Sequence, residues 1–289
     1  MASAADVAEL LRGYSVEVTP RSRSAIEACR EHLAPGTEVY IAFVPGETHG
    51  AVVATTAGLR AAGFVPVPHV TARNVTSSTQ LADFLARLAG EAGVTGALVI
   101  GGDLDRPAGP YPSSLELLQT GLFQQHGVRR IGLACYPEPH PRVSADLLEQ
   151  AVLAKLEAVR GAGLDAWLVS QFCFESAPIL RLLERLRALG IEEPVRVGLA
   201  GPADHRRLWK YALHCGIGNS IRALGTRADT VANLLTRRAP DDLVRALAAA
   251  RRGNPNLGID GIHLFTFGGI ASAATWANAI LAAAPAATR

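Results

Sequence analysis

Cysteine, lysine and methionine are scarce in this sequence. Its 289 residues include only four cysteines, two lysines and one methionine. The cysteines are far apart and show no paired spacing, which argues against a disulfide framework or a zinc site built on them. They are Cys29, Cys135, Cys173 and Cys215. We therefore expect reduced, partly buried thiols.

Long apolar runs are also missing. The longest apolar stretches, such as "GALVIGG" and the alanine-rich C-terminal segment, fall well short of the roughly 20 residues that a membrane-spanning helix needs. The first residues, "MASAADVAELLRGYS", contain acidic side chains and lack the charged-then-apolar pattern of a secretion signal. We expect a soluble, cytoplasmic protein with no membrane partner.

Signals for nucleic acids, dinucleotide domains and metals are absent as well. The net charge is +2, and no basic run extends beyond "HRRLWK" and "ARRG", so we expect no nucleic-acid partner. No P-loop occurs and no G-x-G-x-x-G follows a strand, which excludes a Rossmann domain. No histidine, cysteine or carboxylate group has the spacing of a helical metal motif, so no metal is expected.

What the chain does contain is a regular alternation of short apolar runs and helical patterns. Eight such runs predict strands at 14–20, 38–45, 64–70, 96–102, 129–137, 165–172, 195–202 and 261–269. Patterns with apolar residues at three- and four-residue steps, such as "LADFLARLAGEAG", separate them. Eight β-then-α units in a chain of this length predict a (β/α)8 TIM barrel.

The domain organisation follows from the spacing of these units. No low-complexity linker divides the chain, so we predict a single barrel domain over residues 1–289. The connection between strands 7 and 8 is the longest and holds three helical patterns, which predicts an extra helix there. The alanine-rich C-terminal helix either packs on the barrel or forms the interface of a homo-oligomer, and the sequence leaves both open.

In a TIM barrel the chemistry lies at the carboxyl ends of the strands, and these ends are rich in polar residues here. Glu17 lies in the first strand, "SVEVTP". At the barrel mouth, partial burial would raise the pKa of this carboxyl and make it a proton donor near neutral pH. The alternative is a structural glutamate paired with an arginine, and the pattern does not decide between them.

Other strand ends are weaker signals. The glycines of "GGD" let the backbone approach a flat ring closely, although Asp103 also fits an ordinary turn. Gln171, in "SQFCFE", suits pairing with the edge of a heterocycle or a satisfied core amide. His69 and His140 suit hydrogen bonds to a ligand or to a loop.

Five of these strand ends, taken in order, resemble the methylenetetrahydrofolate reductase family. The segments that carry the resemblance are "SVEVTP", "VPHVTARN", "GGD", "YPEPHP" and "SQFCFE". "YPEPHP" is the most specific of them. The five occur in the family's order and cover nearly the whole chain, which makes chance agreement a poor explanation.

The resemblance implies a barrel that binds FAD and takes hydride from NADH or NADPH to reduce 5,10-methylenetetrahydrofolate to 5-methyltetrahydrofolate. It implies that Glu17 is the general acid and that Asp103 holds the pterin near the flavin. Gln171 would contact the pterin and Tyr211 would stack on it. The residues that it places at the flavin are His69, Gly101, Gly102, Asp103, Tyr136, His140 and Lys155.

Three departures from the family pattern bear on cofactor use. Gly101 stands where the family often has arginine, the second strand ends in "FVPGETHG" in place of Thr-Tyr-Gly, and Gly268 and Gly269 replace Asn-Arg after strand 8. They leave two alternatives to the flavin enzyme. One is a folate enzyme that differs in cofactor or direction, either taking hydride directly from NADH without flavin or running oxidatively. The other is a non-catalytic barrel that binds folate or flavin, against which the presence of Glu17 argues.

Overall fold

A computed structural model describes residues 2–20, 23–202, 240–267 and 269–284. Its eight strands pair in chain order as a closed barrel, which confirms the predicted (β/α)8 fold. The strands are β1 (Ser15–Val18), β2 (Glu38–Ile41), β3 (Val65–Thr71), β4 (Gly96–Ile100), β5 (Arg130–Cys135), β6 (Asp165–Ser170), β7 (Val195–Ala200) and β8 (Ile259–Phe265). Most end earlier than predicted, so Asp103, Tyr136, His140 and Gln171 lie in the loops that follow the strands, whereas Glu17 and His69 lie within β1 and β3.

Helices separate the strands, and we number those of the described residues in chain order. They are α1 (Ala4–Leu11), α2 (Arg23–His32), α3 (His49–Ala61), α4 (Ser78–Ala92), α5 (Ser114–Leu118), α6 (Leu122–Gln125), α7 (Ala145–Gly161), α8 (Ser176–Ala188), α9 (Asp241–Gly253) and α10 (Ile270–Ala283). Local sequence explains their starts. Ser3 with Asp6, and Ser113 with Glu116, form capping boxes at α1 and α5, which satisfy backbone N–H groups of the first turn.

The connection between β7 and β8 is described only in part. It contains α9 and a 3-10 turn at Pro255–Leu257. The two other helical patterns predicted for this connection lie outside the described residues, so the extra helix stays a prediction.

The chain divides into two compact units, and the prediction of a single domain stays a prediction. The first unit consists of the described residues of Met1–Tyr14, Cys135–Leu148 and Val169–Arg289, and the second of Ser15–Ala134 and Glu149–Leu168.

In the first unit, α10 packs through its small buried residues. Ile270, Ala273, Ala274 and Ala277 are buried, and the Tyr14 hydroxyl donates a hydrogen bond to Oδ1 of Asn278 (3.2 Å). One face of the alanine-rich helix is therefore used within the chain, as the packing alternative predicted.

In the second unit, one large side chain fills the space beside β4 and β5. The Trp167 indole N–H donates to the Tyr40 hydroxyl (3.0 Å), and the Arg130 guanidinium lies 5.0 Å from the centre of the Trp167 rings. A Cβ atom at Gly132 would come within 2.7 Å of the indole. Glycine is therefore required at position 132 for the indole to fit.

The three described cysteines, Cys29, Cys135 and Cys173, are buried, and none of them forms a disulfide with another described residue. Burial raises the pKa of Cys29 and of Cys173 to about 12. Cys215 lies outside the described residues. Across the described part of the chain, none of the helices has the length and apolar character that crossing a membrane requires.

Candidate active site at the strand ends

Glu17 and His69 meet at one face of the second unit. The pairing register sets Glu17 level with Tyr40 and Tyr40 level with Val67, two residues before His69. Because side chains alternate along a strand, these residues share a face. Oε2 of Glu17 lies 3.5 Å from Nε2 of His69, and their side chains are 22% and 8% exposed. Two residues predicted for the site are thus in contact.

Burial shifts both groups toward their neutral forms. It raises the pKa of Glu17 to about 8 and lowers the pKa of His69 to about 4. The charged form of each group is costly where little water reaches it. At neutral pH we therefore regard the pair as a carboxylic acid beside a neutral imidazole and not as an ion pair. This arrangement keeps a proton available at Glu17.

The loop after β4 lies against the end of β3. Gly102 has φ +89°, and a Cβ atom there would approach Oδ1 of Asn74 (2.9 Å) and Cβ of Thr71 (3.2 Å). Gly101, in contrast, faces open space, since nothing lies within 4 Å of a Cβ built on it. Asp103 follows as an exposed residue. The loop therefore leaves Asp103 exposed directly after a glycine that packs on the end of β3.

Thr71 is a feature that the sequence analysis missed. Thr71 is 1% exposed. Its Oγ1 is buried without a hydrogen-bond partner among the described residues, and the same holds for Nε2 of His69. Both residues lie on β3 with one residue between them, so they share a face. Unsatisfied buried polar atoms are rare in folded proteins. Two such atoms on one face of β3 make this strand end a candidate site for binding a polar group.

In the first unit, Gln171 follows β6 with its amide oxygen already engaged. The Phe172 N–H donates to Oε1 of Gln171 (3.0 Å), and the Gln171 N–H donates to the Cys135 carbonyl (2.8 Å). In this conformation the side chain offers its NH2 group to a ligand as donor. Oε1 keeps a second lone pair, so it can accept one further hydrogen bond while it holds the Phe172 N–H.

Tyr136 and His140, both predicted at the cofactor, contact each other. Their rings are 5.0 Å apart in an edge-on arrangement. The Arg142 N–H donates to Nδ1 of His140 (3.2 Å). Burial, and then the charge of Arg142, lower the pKa of His140. The two rings therefore pack edge to face, and the lowered pKa keeps the His140 imidazole neutral.

An aromatic cluster at the ends of β6 and β8 also escaped the sequence analysis. The Phe172 ring lies 5.2 Å from Phe265 and 5.1 Å from Phe267. Phe267 has φ +48° and is the only described non-glycine residue with a positive φ. Such strain persists only where the surroundings hold it. The cluster was hidden because Phe172 and Phe267 are far apart in sequence.

One predicted site residue among the described ones is not placed at a strand end. Lys155 lies ten residues after the start of α7, about 15 Å along the helix axis at 1.5 Å per residue. Tyr211 and Gly268 lie outside the described residues. Their predicted contacts stay predictions, as do the ligand contacts of the other site residues. In the described ranges, no group of three or more histidine, cysteine or carboxylate side chains is arranged to hold a metal ion.

The comparison with curated proteins agrees with the strand-end motifs. The chain is 28% identical over 150 residues to a 5,10-methylenetetrahydrofolate reductase from Pectobacterium carotovorum subsp. carotovorum. The match covers 52% of this chain and 48% of that protein, so it spans about half the length of the relative. No protein-family model matches the chain. The similarity confirms the resemblance to the methylenetetrahydrofolate reductase family over about half of the chain.

Similar solved structures include two proteins that are not named as methylenetetrahydrofolate reductases. An N-acetylneuraminate lyase from Fusobacterium nucleatum is 12% identical, with a TM-score of 0.45 over 93% of this chain and 79% of that one. A xylose isomerase domain protein from Planctomyces limnophilus is 16% identical, with a TM-score of 0.35 over 64% and 72% of the two chains. The barrel is established by its own strand order.

Proposed function

We propose that this divergent relative of the methylenetetrahydrofolate reductases reduces 5,10-methylenetetrahydrofolate to 5-methyltetrahydrofolate, with NADH or NADPH as the source of hydride. The observation that carries the proposal is the largely buried carboxyl of Glu17 near the end of β1, with Oε2 3.5 Å from Nε2 of His69. Burial raises its pKa to about 8, so it holds a proton at the pH where such a reaction would run. A general acid works best when its pKa lies near the operating pH.

The reaction needs a proton at one nitrogen of the folate's five-membered ring. Donation by Glu17 to that nitrogen breaks its bond to the methylene carbon and leaves an iminium ion, which accepts hydride to become the methyl group. His69, 3.5 Å from Oε2 of Glu17, stays neutral because burial lowers its pKa to about 4. A neutral neighbour leaves the proton on Glu17 until substrate takes it.

Asp103 and Gln171 are proposed to hold the pterin. A pterin edge presents N–H donors and ring acceptors side by side. The exposed Asp103 carboxylate accepts hydrogen bonds, and the NH2 group of Gln171 donates them while Oε1 accepts from the Phe172 N–H. Each of the two side chains taken by itself therefore offers hydrogen bonds that such a ring can use.

The residues at the strand ends fit the ring of a flavin. Gly101 faces open space, and the left-handed Gly102 puts backbone in place of a side chain, which suits the close approach of a flat ring. We propose that Gly101, Gly102 and His69 contact the ring; for Tyr136 and His140 a contact with the flavin is what the family resemblance implies. When bound, FAD would take hydride from the nicotinamide and pass it to the folate.

A second candidate is direct hydride transfer from NADH to the folate without flavin. Two observations favour it. Gly101 stands where the family often has an arginine that touches the cofactor, and Lys155, the predicted phosphate contact, lies far along α7. A dinucleotide with two phosphates is held mainly by such charge-assisted contacts. Without them FAD would bind weakly, while the acid chemistry of Glu17 would remain.

The decisive experiment measures NADH and NADPH oxidation with methylenetetrahydrofolate, before and after adding FAD and desalting, together with the visible spectrum. Turnover with stoichiometric flavin bands supports the flavin enzyme. Turnover by a colourless protein that retains no FAD supports direct transfer. Folate or flavin binding without turnover in either direction would contradict the proposal and leave a non-catalytic binding protein.

A further inference from the structure

Arg73 joins the loop that carries Asp103 to the segment after β3. This loop, residues 101–113, connects β4 to α5. Most of its residues are exposed, and a long exposed loop gains little stability from packing of its own. Apart from the buried Tyr111, its conformation therefore depends largely on specific hydrogen bonds to the segment that follows β3.

Arg73 makes four of these bonds. Its N–H donates to the Gly101 carbonyl (2.9 Å), and its carbonyl accepts from the Ala108 N–H (2.8 Å). Its Nε donates to the Pro112 carbonyl (2.9 Å) and its Nη1 donates to the Leu104 carbonyl (3.0 Å). The four bonds are spread from the first residue of the loop almost to its last.

The side chain of Arg73 links two distant parts of the loop that its backbone does not contact. Leu104 and Pro112 are eight residues apart, and the guanidinium joins their two carbonyls. Arginine presents several N–H donors in one rigid plane, so it can satisfy two acceptors in fixed directions, whereas the ammonium of lysine acts as a point charge. The contact is therefore specific to arginine.

Neighbouring contacts fix the same loop. A Cβ atom at Gly102 would lie 2.9 Å from Oδ1 of Asn74, and one at Gly109 would collide with the Thr76 carbonyl oxygen. The loop thus lies on residues 71–76 at both positions. Asp103 sits between two carbonyls, those of Gly101 and Leu104, that Arg73 holds.

We propose that Arg73 is a positioning residue that sets the place of Asp103 and, through it, the affinity for the pterin. The first half of this inference concerns the loop alone. The second half rests on the proposed function, since it takes Asp103 as a ligand contact. The two halves are separated by measuring loop protection and folate affinity on the same variants.

The test compares Arg73→Gln and Arg73→Lys with Arg106→Gln, a change to an exposed arginine of the same loop. Hydrogen exchange is followed for peptides covering residues 102–113. We expect exchange there to become roughly tenfold faster in Arg73→Gln, with an intermediate effect in Arg73→Lys and none in Arg106→Gln. Unchanged exchange in Arg73→Gln would overturn the inference.

Folate affinity is measured by equilibrium binding of 5-methyltetrahydrofolate to the wild type, Asp103→Asn, Arg73→Gln and the double variant. If Arg73 acts through Asp103, the change Arg73→Gln weakens binding roughly tenfold in the wild type and hardly at all in the Asp103→Asn background. Equal losses in both backgrounds would overturn the positioning role.

Failure of the proposed function gives a different result. If the wild type binds no folate, that function is contradicted, and the exchange measurement alone decides whether Arg73 holds the loop.

Discussion

Oε2 of Glu17 lies 3.5 Å from Nε2 of His69, yet burial drives the two groups away from an ion pair. Proton transfer from the acid to the imidazole would create two charges in a site that water scarcely reaches. A buried pair of opposite charges repays its desolvation only with further hydrogen bonds. The neutral pair is instead suited to giving its proton to a substrate.

Glu17→Gln should separate the two halves of the proposed reaction. The amide keeps the shape of the side chain but has no acidic proton, so folate reduction should fall by roughly 10²–10⁴-fold. If flavin is used, its reduction by NADH should be unchanged, because that step needs no proton from Glu17. Stopped-flow measurement of each half-reaction gives the two rates.

The matched control for that change is Glu38→Gln. Glu38 begins β2 and pairs with Arg130 (3.6 Å), so its loss should affect stability slightly and leave the folate rate intact. Folate turnover that survives in Glu17→Gln would show that the general-acid assignment is wrong.

Stability should depend on pH through the same pair. Folded Glu17 has a pKa of about 8 against an ordinary 4.5, so folding retains a proton and stability falls as pH rises through that range. Folded His69 has a pKa of about 4 against 6.5, so its contribution grows as pH rises from 4 to 6.5. The two effects oppose each other below pH 6.5, and above it only the Glu17 effect remains.

We therefore expect the free energy of unfolding of the wild type to fall by roughly 2 kcal/mol between pH 6.5 and 8 because of Glu17. The Glu17→Gln variant should not show this loss. Urea unfolding of both proteins from pH 5.5 to 8.5 measures the difference, and other groups cancel in the comparison. Parallel curves would mean that Glu17 is not protonated in the folded protein.

Gly101→Arg should strengthen FAD binding if the loop after β4 lies at the cofactor. A Cβ atom at this position meets nothing within 4 Å and the residue has no positive φ, so a side chain can leave the backbone here without a clash at its first atom. One charge-assisted contact to the cofactor would increase affinity by about tenfold or more. Equilibrium binding of FAD, read by quenching of flavin fluorescence, gives the change.

The control for this variant is the adjacent Gly102→Arg. Gly102 has φ +89° and a Cβ atom there would crowd Asn74, so this variant should lose stability and gain no FAD affinity. An unchanged FAD affinity in a well-folded Gly101→Arg protein would remove position 101 from the cofactor site.

Gly198→Ala should destabilise the end of β6, where Gln171 follows. The Gly198 N–H donates to Oγ of Ser170 (2.8 Å), and a Cβ atom at Gly198 would collide with the Ser170 carbonyl oxygen and lie 2.8 Å from the Phe265 ring. We expect a loss of about 1–3 kcal/mol in the free energy of unfolding. Gly161→Ala, in the last turn of α7 with nothing within 4 Å, should be neutral or stabilising. Equal effects in urea unfolding would contradict this packing argument.

The sequence by itself determined the fold and the order of the motifs. Each strand reads as a short apolar run between helical patterns, and that local signal survives because a parallel barrel buries both faces of its strands. Val16 and Val18 are buried on one face while Ser15 is buried on the other. Glu17 stood out because a carboxylate in such a run needs a reason.

The tertiary structure alone decided what each motif residue touches. The 3.5 Å approach of Glu17 to His69 depends on the register of three strands, which no single segment encodes. The engagement of Gln171 by the Phe172 N–H, the open side of Gly101 and the Phe172 cluster are likewise contacts set by folding. Arg73 was invisible to pattern reasoning because its partners are backbone carbonyls, which every residue supplies. Side-chain type can be read from a sequence, whereas hydrogen bonds to the backbone exist only once the chain has placed its carbonyls.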